Sequence, residues 1–189
     1  MPKDASGNEF SHLIQVDRIG PEGTLVQLTA SAAERESLAK RLQIPAVLGV
    51  SAQIRVVPDP ALKGQYLLRG SFEAEVEQTC VITLEPVRQR IREDVEQRFA
   101  PAELIGEPAQ LERDEAEWLD PEAEDPPDPL VNGGIDVSEV VTEALALALD
   151  PYPRKPGAEL PEQYRSGAES GAAVSPFAAL AKLRTIKKD

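Results

Sequence analysis

FEAEVEQTCVITLEPV, running from Phe72 to Val87, is the stretch whose reading decides the fold. Phe72, Ala74 and Val76 alternate with Glu73, Glu75 and Glu77, and successive side chains of a β-strand point to opposite faces, so the run predicts a half-buried strand. The three glutamates then belong to a solvated face rather than to an acidic site. Cys80, the only cysteine of the chain, has the parity of Phe72 and Val76, which turns it inward as a small hydrophobe. The run ends in the strand-like Val81-Ile82-Thr83-Leu84 before Glu85-Pro86.

Working outward, Tyr66 to Leu84 reads as one long bulged strand or a strand pair. Upstream, Val50, Ala52, Ile54 and Val56 alternate with Ser51, Gln53 and Arg55, so Val47 to Val57 is a strand that Pro58-Asp59-Pro60 ends. Downstream, Val87, Ile91, Val95 and Phe99 recur every fourth residue, which suits a helix, yet they also share one parity. Pro86 and Pro101 bound the run, and sequential strands tend to be neighbours, so Arg88 to Phe99 is taken as a strand. Phe10 to Val16 and Thr24 to Ala30 read as short strands on either side of a Gly20-Pro21-Glu22-Gly23 turn.

Two helices complete the domain. In SAAERESLAKRL, Ser31 and Glu34 make a capping box, Leu38 and Leu42 form a narrow apolar stripe, and Pro45 stops the helix. In IDVSEVVTEALALALDPYP, Asp136 is the N-cap, Val137, Val140, Val141, Ala144, Leu145 and Ala148 form a broad apolar face, and Pro151 and Pro153 end it. Ser175-Pro176 opens a short C-terminal helix with a basic end, Lys182, Arg184, Lys187 and Lys188. The expected class is α+β: an antiparallel sheet or partly open barrel of about five to six strands, two main helices packed on it, and that short helix.

The net charge of −13 is unevenly placed. From Ala102 to Asp128 there are eleven acids and one base, Arg113, a net −10 of that total. The remainder is close to neutral. The organisation read from the 189 residues is a flexible terminus over 1–9, a β-rich part with one helix over 10–101, an acidic mobile insert over 102–132, a helix completing the same domain over 133–155, and a loose tail over 156–189 carrying the short helix at 175–186. A segment as acidic as the insert repels phosphate, so direct nucleic-acid binding there is excluded and no DNA partner is expected. Trp118-Leu119 is an apolar pair within it, either a docking contact onto the body or a partner-binding motif. No stretch reaches the roughly 20 apolar residues of a membrane span, and the N-terminus has no apolar signal core, so a cytoplasmic protein without a membrane partner is expected.

Chemistry is sparse. One Cys and one His, Cys80 and His12, cannot supply the clustered ligands of a zinc site, and a Cys–His nucleophilic pair would need a third group orienting the imidazole. The acidic tract lacks the spacing of a calcium loop and no glycine-rich phosphate loop is present. No catalytic, cofactor-binding or metal-ligating residue is assigned, and no cofactor is expected. Cys80, Phe72 and Val76 are assigned to the core. The exposed edges of an open sheet permit dimerisation, and nothing in the sequence requires it.

Three blocks together resemble the YceD family of large ribosomal RNA subunit accumulation proteins: QTCVITLEPV (Gln78 to Val87), IDVSEVVTEALALALDPYPRKPGA (Ile135 to Ala158) and SPFAALAKL (Ser175 to Leu183), with an acidic linker between the first two. Many relatives have Cys-x-x-Cys where this chain has Cys80-Val81-Ile82-Thr83, and some add cysteines after the second helix. Thr83 departs from that pattern, so packing or hydrogen bonding must replace whatever a metal contributes in relatives. The resemblance implies a non-enzymatic ribosome biogenesis factor supporting accumulation of large-subunit (23S) ribosomal RNA, with a ribosomal protein or an assembly intermediate as partner. Glu85, Trp118, Pro151, Tyr152, Pro153 and Arg154 are the candidate partner-binding residues, alongside the acidic insert. Direct RNA binding through the body and the basic C-terminal helix, with Lys187 and Lys188, is the alternative. A cysteine-dependent redox enzyme or sensor is the remote one.

Overall fold

A computed structural model of the protein describes residues 10–105 and 126–160. The expectations for residues 1–9, for Trp118-Leu119 and for the helix at 175–186 with Lys187 and Lys188 lie outside the described residues. The chain forms two units, Met1–Lys155 and Pro156–Asp189. Of the second, the described residues 156–160 contain a turn with Gly157 at φ 79°.

The first unit is α+β. Its main sheet runs in the order β2 (Thr24–Thr29), β3 (Ala46–Pro58), β4 (Tyr66–Thr79), β5 (Pro86–Ala100) and β6 (Asp128–Pro129). All neighbours are antiparallel except β5 and β6, which are parallel, and the sheet is open rather than closed into a barrel. A second sheet of two strands pairs β1 (Leu13–Gln15) with β7 (Gly134–Asp136). The long β4 has partners on both sides from Tyr66 to Glu77.

Alternation sets which face is buried. Val50, Ala52, Ile54 and Val56 of β3, Leu68, Phe72, Ala74 and Val76 of β4, and Ile91, Val95 and Phe99 of β5 all point to one side and form a single core. The ambiguous Arg88–Phe99 run is therefore a strand, as its shared parity requires. In β3 the register shifts between Val47 and Gly49, and the extra residue lets Val47 stay buried although its parity differs from Val50.

Helix α1 (Ala32–Leu42) is capped as its sequence demands: Glu34 N–H donates to Ser31 Oγ and Ser31 N–H donates to the Glu34 carboxylate. Gln43 closes it in the left-handed region at φ 55°. Helix α3 (Val137–Ala148) buries Val137, Val140, Val141 and Leu145 in the same core as Leu38 of α1. Both helices thus cover one face of the sheet and leave the other to solvent.

Three expectations need correcting. Val81-Ile82-Thr83-Leu84 is not strand: β4 ends at Thr79, and Cys80 to Glu85 turn the chain into β5, with Leu84 at φ 60° and exposed. The reason is local: the Cys80 N–H donates to the Glu85 carbonyl and the Leu84 N–H donates to the Cys80 carbonyl, which closes the loop. The segment given to the acidic insert, 102–132, begins with a helical turn, α2 (Ala102–Ile105), and ends on β6 and the Val131–Gly134 bridge. Finally, Leu13–Gln15 does not join the main sheet but pairs with residues more than a hundred positions later, a partner that local pattern cannot reveal.

Candidate interaction site at the Cys80 corner

The β4–β5 loop and the chain after α3 meet at one end of the sheet. The Val81 N–H donates to the Pro153 carbonyl at 2.9 Å, and the Gln78 side-chain amide donates to the Asp150 carbonyl at 2.9 Å. Lys155 Nζ pairs with Glu85 Oε2 at 2.9 Å. The Tyr152 N–H donates to Asp150 Oδ1 at 2.8 Å, an Asx-type turn that carries the chain off the helix.

Cys80 lies at the centre, fully buried. Its sulfur accepts the Thr83 N–H at 3.4 Å and the Lys155 N–H at 3.3 Å. The Thr83 hydroxyl, followed by the Lys155 N–H, favours the thiolate, and together they bring the Cys80 thiol down to about 6 against the opposing effect of burial. The bond to Lys155, and its charge, likewise hold the Glu85 carboxyl below the usual carboxylate range.

This arrangement answers the departure at Thr83. Both the backbone and the side chain of Thr83 point at the sulfur that a second cysteine would otherwise accompany. A tetrahedral metal site needs further thiolate or imidazole ligands, and among the described residues no group of three or more His, Cys, Asp or Glu side chains is placed to hold an ion. Hydrogen bonds, two of them to one sulfur, and the Glu85–Lys155 pair hold the corner. Among the described residues this donor set does not fit a metal.

Of the sequence-derived candidates, the structure gathers Glu85, Pro151, Tyr152, Pro153 and Arg154 around Cys80. Tyr152 is 70% exposed, Leu84 is 76% exposed, and Arg154 is exposed. Pro153 is buried and its carbonyl accepts the Val81 N–H. Glu85 is half exposed and pairs with Lys155 across the corner. Phe72 and Val76 are buried as expected. His12 is exposed, and its carbonyl accepts the Val137 N–H, so it serves α3 through its backbone.

Arg88, Arg90 and Arg92 of β5 stand opposite Glu77, Glu75 and Glu73 of β4, with N–O distances of 3.3, 3.8 and 3.4 Å. The signal is legible as Arg-x-Arg-x-Arg mirrored across the loop by Glu-x-Glu-x-Glu. All three arginines are well exposed, so the ladder sets register and keeps the face soluble more than it stabilises the sheet.

An open sheet with two helices on one face, and a corner around Cys80 joined by hydrogen bonds, define an α+β protein. The chain matches the family described as large ribosomal RNA subunit accumulation protein YceD over residues 68–184, and it belongs to that family. The matched span begins within β4 and takes in the whole corner. No curated protein and no solved structure matches the chain. Among the described residues no helix is long and apolar enough to cross a membrane.

Proposed function

We propose that the protein is a non-enzymatic, cytoplasmic ribosome biogenesis factor that supports accumulation of 23S ribosomal RNA by binding a ribosomal protein or an assembly intermediate. Its membership of a family described by large-subunit ribosomal RNA accumulation carries the reading. The Cys80 corner supports it, because the thiol is enclosed by the β4–β5 loop and the Pro151–Lys155 segment while Leu84, Tyr152 and Arg154 remain outward as a contact rim. Direct RNA binding by the body has less support: each arginine of the exposed row is matched by a glutamate, which lowers the field that phosphates would meet.

Depleting the protein and running a sucrose gradient with quantified ribosomal RNA tests the role. The expected result is a fall in 23S relative to 16S RNA with loss of large subunits; an unchanged ratio overturns it. Deleting residues 106–125, which leaves α2 and β6 in place, tests the part given to the acidic insert, through salt-dependent binding to basic large-subunit ribosomal proteins. Electrostatic capture predicts a slower association and a shallower salt slope in the deletion, and an unchanged slope refutes that part alone.

A further inference from the structure

Among the described residues the β5 edge of the main sheet is paired only at its far end. The Cys80–Glu85 bond and the register that follows it assign every odd residue of β5 to hydrogen bonding with β4. The N–H and C=O groups of the even residues Arg88, Arg90, Arg92, Asp94 and Glu96 therefore point away from the sheet, and none has a backbone partner among the described residues. Strand β6 covers only the far end, at Phe99 and Ala100, where the Leu130 N–H donates to the Ala100 carbonyl. It extends no further back because Pro126 and Pro127 have no N–H to give.

Next to this open edge lies a groove of about 540 Å³, walled by β5 from Asp94 to Arg98, by Pro126 and Asp128, and by α3. The helix presents Val140, Ala144 and Leu147 to it, and Leu147 is 83% exposed. The groove also holds Asp94, Glu96, Asp128 and Glu143 against a single arginine, Arg98. Glu96 is shared with Arg69 and Asp128 accepts from the Gln97 amide, whereas Asp94 has no ion pair among the described residues and Glu143 feels the charge of Arg41 without a bond to it. The upper part of the same edge carries Arg88, Arg90 and Arg92, charges that discourage edge-to-edge pairing there.

We infer that the groove between the Asp94–Arg98 edge of β5 and helix α3 takes an extended, lysine- and arginine-rich peptide by strand addition. The incoming strand completes the unpaired backbone groups. Its alternate side chains meet Asp94 and Glu96 on the open face of the sheet, and Val140, Leu147 and Glu143 on the helix side. The inference rests on the proposed binding of a basic ribosomal protein and names the surface and the peptide chemistry for it.

The test uses the full chain and a fluorescein-labelled dodecapeptide of alternating lysine and valine, followed by fluorescence anisotropy. A second peptide carries N-methyl groups at every other residue, which removes the donors that strand addition needs. The wild-type chain is expected to bind the first peptide saturably, and at least ten-fold more weakly after N-methylation. The exposed double substitution Asp94→Lys with Glu143→Lys is expected to cost at least ten-fold, with unchanged thermal unfolding. Should that variant unfold early, Leu147→Asp, at an exposed helix position, replaces it with the same expectation. Peptide addition is also expected to slow amide exchange at Asp94 and Glu96. Equal affinity for both peptides, undiminished affinity of the variants, absence of binding, preference for polyuridylate over the peptide, or a dimer in sedimentation that uses this edge each overturns the inference. A lost groove alongside an intact depletion phenotype removes this inference and leaves the proposed function standing.

Discussion

Replacing Asp136 by alanine should destabilise the domain far more than a helix cap alone would. Its Oδ1 accepts the Ser138 N–H at 3.0 Å and the Glu139 N–H at 3.3 Å, two of the orphan donors of α3. The same carboxylate accepts the His12 N–H at 3.0 Å and, through Oδ2, the Ser11 hydroxyl at 2.6 Å. One side chain therefore starts the helix and fastens the N-terminal strand beside it. An N-cap is worth about 1 kcal/mol. Each further bond to a charged acceptor adds roughly 1 kcal/mol net at an exposed site, so the total comes to about 2–3 kcal/mol. With a urea m-value of about 2 kcal/mol per molar, the midpoint should fall by about 1–1.5 M. Ser31→Ala is the internal standard, since it removes the capping box of α1 and nothing else, at about 1 kcal/mol. Asp136→Asn keeps the caps and should recover at least half of the loss. A drop for Asp136→Ala no larger than that for Ser31→Ala would show that the clasp on Ser11 and His12 contributes nothing, and the reasoning would fail.

The Cys80 thiol should titrate near pH 6, read as thiolate absorbance near 240 nm, and Thr83→Val should move it upward by removing the first of its donors; an unshifted midpoint refutes the role of the hydroxyl. Because its folded value is depressed, the stability it confers is complete above the ordinary thiol range and is lost as pH falls toward about 6, a trend that urea melts of Cys80→Ala should not share. Phe72→Ala, which empties a fully buried site, should cost about 3–5 kcal/mol, while Arg90→Ala on the exposed ladder should stay within about 0.5 kcal/mol by the same denaturation assay. Gly70→Ala should be severe for a strand glycine, because a Cβ there would overlap the Gln53 carbonyl and come within 2.7 Å of Ile54 Cα on the neighbouring strand; wild-type stability in that variant would contradict the strand packing.

What could be read in advance was whatever depends on local periodicity. Alternation in β3 and β4, the capping box at Ser31 and the N-cap at Asp136 each state a local requirement, and each stands in the structure. Local pattern misleads where the deciding partner is remote or the rule is stereochemical. Val81 to Leu84 has strand-forming residues, but the loop is closed by the Cys80–Glu85 bond and by Leu84 in the left-handed region, which composition does not encode. Leu13–Gln15 found its partner in Gly134–Asp136, and β6 lies parallel to β5 after a long excursion; neither pairing leaves a sequence signature. The corner was half legible. Cys80 was correctly placed inside, yet its meeting with Lys155 depends on where α3 ends, a tertiary fact.

That meeting also explains why a single cysteine suffices here. A buried thiol with no donors would be an inert hydrophobe, and a buried thiolate with none would be costly. Here the Thr83 hydroxyl and N–H and the Lys155 N–H converge on the sulfur, and the Glu85–Lys155 pair closes over the same segment from outside. The hairpin loop and the post-helical chain are therefore joined by directional bonds, as a metal would join them, but each bond is individually weak. The two segments should stay associated while the sulfur is ionised and loosen as it is protonated. Tyr152 and Arg154 are exposed residues of that same post-helical segment, so its hold on the β4–β5 loop depends on the state of the buried thiol whose inward parity the opening run of sequence shows.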